Sequence, residues 1–347
     1  MDRPLRVAML APIAWSVPPR GYGPWELVTS LLTEGLVRRG VDVTLFATAD
    51  SQTSARLVGV AAGSYNETPG MDAKVWECLH IAEVFERARA GEFDLIHNQF
   101  DFLPLSYSRL VDVPMVTTIH GFSSERIVPV YEKYNDARNH YVAISEADRH
   151  PRLRYAATIH HGVPMEEFAP RFDPVPPSEP YLLFFGRIHP DKGVTEAIDA
   201  ADLAGRRLVL AGIVQDQEYF ERRIVHRLDE RVRYVGPISR EDRPALLGGA
   251  DALLHLINFD EPFGLSVVEA MACGTPVIAR GRGSMPEIVE HGVNGFLVED
   301  ISDDWWAIEQ LDTIDRRRVR ESVVTRFGVE RMVDDYLALY RRIVAKA

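Results

Sequence analysis

Asp260 to Arg280 reads DEPFGLSVVEAMACGTPVIAR. Apolar Leu265, Val268, Met271 and Ala272 fall at helical spacing. They predict a helix that runs to Cys273 and stops at Gly274. A turn, Pro262-Phe263-Gly264, precedes it. Pro276 to Ala279 reads as a short buried strand. A turn, a helix and a buried strand packed this closely are the alternation from which parallel α/β sheets are built.

The same stretch carries chemistry. The helix opens at Phe263–Leu265 with its first amides unpaired. Such an end holds about half a positive charge and several N–H donors, which suits a phosphate. Gly264 is permissive where the backbone must come close to something. Glu261 and Glu269 stand eight positions apart on either side of that anion site. Acids there do not bind the anion; they accept hydrogen bonds from hydroxyls. An anion with hydroxyls at both ends describes a nucleotide diphosphate sugar.

Outward from this stretch the alternation repeats. N-terminal strands are expected at Leu5–Leu10, Val41–Ala47, Leu95–His97, Met115–Ile119, Tyr141–Ile144 and Ala156–His160, with helices including Trp25–Arg39 and Ala73–Ala90. C-terminal strands are expected at Tyr181–Phe185, Leu208–Ala211, Val232–Val235, Ala252–Leu256, Val277–Ala279 and Phe296–Val298. Their helices fall near Thr195–Leu203, Tyr219–Leu228, Arg240–Gly249, Leu265–Cys273 and Met285–Glu290. Prolines 164, 170, 174, 176, 177 and 180 crowd the segment between the halves. The chain of 347 residues therefore divides into a domain over 1–163, a linker over 164–180, and a second domain of the same type over 181–328. A last helix over 329–347 has two adjoining apolar stripes, one of Val333, Leu337, Tyr340 and Val344, the other of Met332, Tyr336, Leu339 and Ile343. So broad an apolar face demands burial. Two open sheets place a ligand cleft at their strand C-termini.

Composition bounds the function. With 46% apolar and 26% charged residues the chain is an ordinary globular protein. A net charge of −12 argues against nucleic acid as a partner. Cys78 and Cys273 offer neither a disulfide framework nor a metal cluster, which fits the cytoplasm. No apolar run approaches the roughly 20 residues that span a bilayer. The start, Arg3 to Trp15, is interrupted by Pro12 and is read as a first strand, not an export signal. Asn66-Glu67-Thr68 is discounted as a glycosylation triplet. The basic run Arg316-Arg317-Arg318 with Arg320 reads as a solvated helix face, with at most a weak, peripheral membrane contact.

Further motifs fall just after expected strands. Gly186-Arg187-Ile188-His189-Pro190-Asp191-Lys192-Gly193 places two cations, Arg187 and Lys192, on one strand–loop–helix junction. There they can clamp a diphosphate and neutralise charge as a sugar leaves. Gly21-Tyr22-Gly23 begins like a dinucleotide fingerprint, but Glu26 replaces the third glycine; Gly281-Arg282-Gly283 breaks at Pro286. Neither supports NAD. His120 ends a strand, where a histidine can bond a sugar hydroxyl. No D-x-D or H-E-x-x-H occurs, so no metal is called for.

EPFGLSVVEAMACGTPVIA resembles the donor signature of the family-4 retaining glycosyltransferases, also described as group 1 glycosyl transferases. The likeness extends over essentially the whole chain and is strongest from Gly186 to Asp300. It implies a GT-B fold: α/β, with two Rossmann-like domains whose parallel sheets face a central cleft, and a terminal helix crossing back to the first domain. It implies that Arg187 and Lys192 bind donor phosphates after Gly186, and that His120 contacts the donor sugar. The PPRGYGPWE loop with Gly21 and Gly23 would approach phosphates and acceptor, although Pro24 replaces the commoner glycine there. Gly236, Pro237 and Ile238 would line the base, and Ser284-Met285-Pro286-Glu287 would close a pocket wall. His97, Ser145 and Glu146 are assigned to the cleft wall, and His160-His161-Gly162 to a hinge.

The implied enzyme is a hexosyltransferase that moves a sugar from UDP-glucose first, GDP-mannose second, to a hydroxyl acceptor with retention. Front-face attack is expected, the leaving diphosphate helping to take the acceptor proton. Arg187, Lys192 and the amides at Gly264–Leu265 would stabilise the diphosphate; Glu261 would hold sugar hydroxyls and Glu269 the ribose. Pro262 and Phe263 complete the donor-binding set, and no cofactor is expected. Alternatives are a glycoside phosphorylase or disaccharide synthase on this scaffold, and a non-catalytic two-lobed sugar-binding protein, which would ignore free UDP and GDP.

Overall fold

The computed structural model describes residues 3–122, 124–170, 172 and 180–346. Arg171 and residues 173–179 of the expected linker, with Pro174, Pro176 and Pro177, lie outside the described residues. The chain forms two compact units. One comprises residues up to Gly162 with the stretch from Val329 onward; the other comprises Val163–Gly328.

The first unit is built on seven parallel strands: β1 (Arg6–Leu10), β2 (Asp42–Ala47), β3 (Arg56–Gly59), β4 (Leu95–Asn98), β5 (Met115–Ile119), β6 (Asn139–Ala143) and β7 (Tyr155–Thr158). Their order is β3-β2-β1-β4-β5-β6-β7. The central strand β1 is apolar on both faces, as expected when helices cover both sides. Val7, Ala8, Met9 and Leu10 are all fully buried. The edge strand β3 escapes sequence reading because RLVG is short and none of it is buried.

The second unit repeats the plan with β8 (Leu182–Phe185), β9 (Leu208–Ala211), β10 (Val232–Gly236), β11 (Ala252–His255), β12 (Val277–Arg280) and β13 (Gly295–Val298). The order is β10-β9-β8-β11-β12-β13. In each sheet the chain order reverses beside the first strand, between β1 and β4 and between β8 and β11. Ligands of open α/β sheets bind outside the strand C-termini at such a point.

The expected helix over Tyr219–Leu228 is broken. A short turn at Gln217–Tyr219 passes into a π-type turn over Phe220–Ile224 and a 3₁₀ turn over Val225–Arg227. The helix Ile301–Glu309 was not expected, whereas the basic run does lie on a helix, Arg316–Val324. The basic run corrects a second expectation. Arg316 donates to the carbonyls of Ala250 and Gly248, both at 2.9 Å, and to Thr275 Oγ1 at 2.8 Å. Arg320 donates to the carbonyls of Phe168 and Ala272. These two guanidiniums tie loops together, while Arg317 and Arg318 are exposed. Among the described residues no helix is long and apolar enough to cross a membrane.

The helix Val329–Val344 buries both apolar stripes from Met332 to Ile343 within the first unit. It lies against the helix Pro24–Arg38. Gly35 makes this close approach possible, since a Cβ there would stand 2.3 Å from Val333 Cγ2. Arg39 closes the seam by donating to Asp334 at 2.6 Å and pairing with Glu330 at 2.8 Å. Gly35→Ala overpacks this contact. It is expected to destabilise the protein by about 1–3 kcal/mol in urea unfolding, and Val333→Ala in the same chain to restore part of the loss.

Candidate functional site

In the second unit, the loops after β8 and β11 converge. Ile188 is buried and pairs with Val214, which pins the first loop to its neighbour. His189 Nδ1 accepts from the Asp191 amide at 3.3 Å and starts the turn Pro190–Lys192. The Asp191 carbonyl accepts from the Asn258 amide at 2.8 Å. Gly193 then caps the helix Val194–Leu203 at φ +71°, where a Cβ would meet the Leu256 carbonyl oxygen at 1.9 Å. Only glycine permits this approach. The result aims Lys192 at the loop following β11.

There Lys192 Nζ donates to Glu261 Oε2 at 2.9 Å. The same ammonium lies 4.5 Å from the centre of the Phe259 ring, a cation–π contact. His255, the last residue of β11, brings Nε2 within 3.5 Å of the same Glu261 oxygen. Burial pushes the Glu261 carboxyl up, but His255 and the Lys192 charge outweigh it and hold the group at about 2. It is therefore ionised across the neutral range. The stability it contributes is present above the ordinary value of 4.5 and is lost as pH falls toward 2. Its other oxygen, Oε1, has no partner among the described residues.

The turn between the two acids is fixed from beneath. Pro262 is half-buried. Phe263 is 2% exposed and packs edge-on against Phe327 at 5.8 Å. Its ring is core, so only its backbone faces outward chemistry. Ser284 donates from its amide to the Glu261 carbonyl at 2.9 Å and from its hydroxyl to the Phe263 carbonyl at 2.8 Å. Gly264, at φ +89°, begins the helix Leu265–Ala272. The Val267 and Val268 amides both donate to its carbonyl. Leu265 and Ser266 are left as first-turn donors with no intrahelical acceptor.

Glu269 lies inside that helix, 4% exposed, and accepts from Arg243 Nη1 at 3.0 Å. Burial raises its carboxyl; Arg243 opposes the rise without cancelling it. Oε2 has no partner among the described residues. Both acids are thus built alike: one oxygen spent on a cation, the other left open as an acceptor.

The remaining expected residues are placed less centrally. Arg187 Nη1 is committed to Gln215 Oε1 after β9. Gly186 donates to the Ala211 carbonyl at 3.0 Å. Gly236 ends β10 and its carbonyl accepts from Gly212; Pro237 is exposed and Ile238 half-buried. Sequence reading missed His255 and Arg243. His255 carried a signal, a histidine at a strand end; Arg243 carried none, since its partner lies 26 residues away.

In the first unit the loop after β1 carries exposed Gly21 and then Gly23, which caps the helix Pro24–Arg38. Pro24 sits in the first helical position, where its missing N–H costs nothing. Trp25 stacks on His120 with ring centroids 5.1 Å apart. His120 Nε2 bonds Gln99 Oε1 at 2.6 Å. A carbonyl only accepts, so the proton is on Nε2 and Nδ1 accepts from His161 Nε2 at 3.3 Å. Gln99 Nε2 lies 3.2 Å from His97 Nε2, which also bonds Thr118 Oγ1 at 2.8 Å. His97 Nδ1 meets the Tyr340 hydroxyl, and Thr118 Oγ1 meets that of Tyr336 at 2.7 Å.

This network corrects one expectation and constrains another. His97 is wholly buried and is no wall residue. His120 has both ring nitrogens engaged, so binding a sugar hydroxyl would require one of them to be released. Burial holds both imidazoles at about 3, uncharged at neutral pH. Ser145 is buried and caps the Asp148 amide, while Glu146 is exposed and pairs with Arg149. His161 is buried on the His120 ring.

Glu26 is 3% exposed, and burial pushes its carboxyl up to about 7 against backbone bonds from its own amide and Trp15. A raised carboxyl means the folded chain holds the proton more tightly. Its ionisation costs nothing below about 4.5, a growing amount up to about 7, and a constant amount above. Glu26→Gln is expected to match wild type in thermal unfolding near pH 4. At pH 8 it should be more stable by on the order of 3 kcal/mol.

Comparison with known proteins matches residues 166–315 to the model described as "Glycosyl transferases group 1" and residues 26–167 to "Glycosyltransferase Family 4". A D-inositol 3-phosphate glycosyltransferase from Mycolicibacterium smegmatis is 28% identical, covering 99% of this chain and 93% of its own. A glycosyltransferase involved in avilamycin A biosynthesis has a solved structure with TM-score 0.73 and 25% identity over 99% of both chains. An Anabaena protein crystallised with UDP and glucose has the same fold at TM-score 0.73 and 22% identity, over 97% of this chain and all of its own.

Proposed function

From the premise that the chain belongs to the group 1 glycosyl transferases, we propose that it moves a hexose from a nucleotide diphosphate sugar to an acceptor hydroxyl in the cytoplasm. UDP-glucose is the donor we put first and GDP-mannose second. The observation that carries this reading is the pairing of a half-buried acid, Glu261, with a buried one, Glu269, each with one oxygen fixed by a cation and one open, on either side of a helix start with unpaired amides.

In this reading Lys192, Arg187 and the Leu265 and Ser266 amides receive the diphosphate. Their charge is worth most as the sugar–oxygen bond breaks, because the leaving diphosphate gains charge then. Glu261 Oε1 accepts from sugar hydroxyls and Glu269 Oε2 from the ribose. The proposal assigns the developing negative charge to these groups and not to a metal ion. The acceptor attacks from the face the diphosphate leaves, so configuration is retained, and a diphosphate oxygen takes the acceptor proton. His120 can bind a sugar hydroxyl only if Gln99 or His161 releases one of its ring nitrogens. The Anabaena neighbour with UDP and glucose supports the first choice of donor by analogy of fold.

Thermal-shift screening of nucleotide sugars, followed by transfer or hydrolysis assays on the best binder, tests the reading. Lys192→Ala and Glu261→Ala are each expected to lower kcat/KM about 10²–10³-fold, Lys192→Ala also weakening free UDP. Normal turnover in both variants would sink the proposal.

A further inference from the structure

Glu261 is held from two sides. Lys192 reaches Oε2 with a hydrogen bond of 2.9 Å, and His255 Nε2 stands 3.5 Å from the same oxygen. The His255 ring is 7% exposed, and among the described residues its buried Nε2 has no partner at close hydrogen-bond distance, Glu261 Oε2 at 3.5 Å being the nearest charge. Buried ring nitrogens without a partner are rare and call for an explanation. This one stands on β11, in register with Ala279 of β12, so its backbone cannot drift from the carboxylate.

Lys192 cannot serve two anions equally. In the proposed reading it must turn toward the donor's diphosphate, which carries more charge than one carboxylate. Glu261 would then be a half-buried carboxylate without its cation, beside a second anion. Such a group is repelled and its loss of partner is costly. We propose that His255 is the positioning residue that takes over Glu261 Oε2 when Lys192 turns to the diphosphate, so that Oε1 stays aimed at the donor sugar. The inference rests on the diphosphate reading of Lys192 and adds to it a residue for which the sequence motifs give no role. The low carboxyl value of about 2 at Glu261 agrees with two groups acting on it at once.

The test is a double-mutant cycle on the full chain, read by calorimetry with UDP and with GDP. His255→Phe keeps the ring volume and removes the nitrogen; His255→Gln keeps a donor. Against wild type, His255→Phe is expected to weaken the tighter-binding nucleotide about tenfold, and His255→Gln to recover most of that. In a Glu261→Gln background, where no carboxylate needs a new partner, His255→Phe should change binding less than about twofold. Equal losses in both backgrounds would mark His255 as packing only and overturn the proposal. So would His255→Phe binding as wild type, with circular dichroism confirming that each variant is folded. Lys192→Ala binding both nucleotides as tightly as wild type would instead overturn the reading beneath it, and this inference with it.

Discussion

The ion pair between Lys192 and Glu261 is the constraint on which the second unit turns. Its two residues come from loops 69 positions apart in sequence, and each loop is set by a glycine at positive φ. Gly193 lets the lysine loop touch the β11 backbone; Gly264 starts the helix behind the acid. The half-buried site raises the strength of any charge interaction above its value in water. A lone acid or lone lysine there would be costly, and the pair makes each tolerable. It also sets the site's working logic, because an anion that claims the lysine must disturb the acid.

Much of this was legible in residue order. The strand positions of both sheets follow from short apolar runs, since a fully buried parallel strand leaves a run with no polar face to break it. The turn, helix and strand of DEPFGLSVVEAMACGTPVIAR appear as read, with the helix over Leu265–Ala272 and β12 behind it. What escaped is what depends on neighbours distant in sequence. Strand β3 pairs with β2 alone and has no buried residue, so nothing in RLVG distinguishes it from a loop. Arg316 and Arg320 look like surface charge until the carbonyls they reach are known.

Histidines at strand ends show the same limit. Sequence order places His97, His120 and His255 at the C-terminal ends of β4, β5 and β11 but does not say which way each ring turns. His97 turns inward to Tyr340, Thr118 and Gln99. His120 lies between Trp25 and His161 and bonds Gln99. His255 alone of the three stands beside a carboxylate. Three histidines at strand ends are thus divided between a polar network inside the first unit and a contact on Glu261 in the second.

The helix Val329–Val344 contributes Tyr336 and Tyr340 to that network and packs Val333 into the notch at Gly35. It is synthesised after the whole of the second unit. The first unit therefore emerges earliest yet waits longest for its last packing element, with the notch at Gly35 unfilled meanwhile. Order of synthesis and order of completion are inverted in this molecule, and the nascent first unit is the segment that a chaperone would have reason to hold.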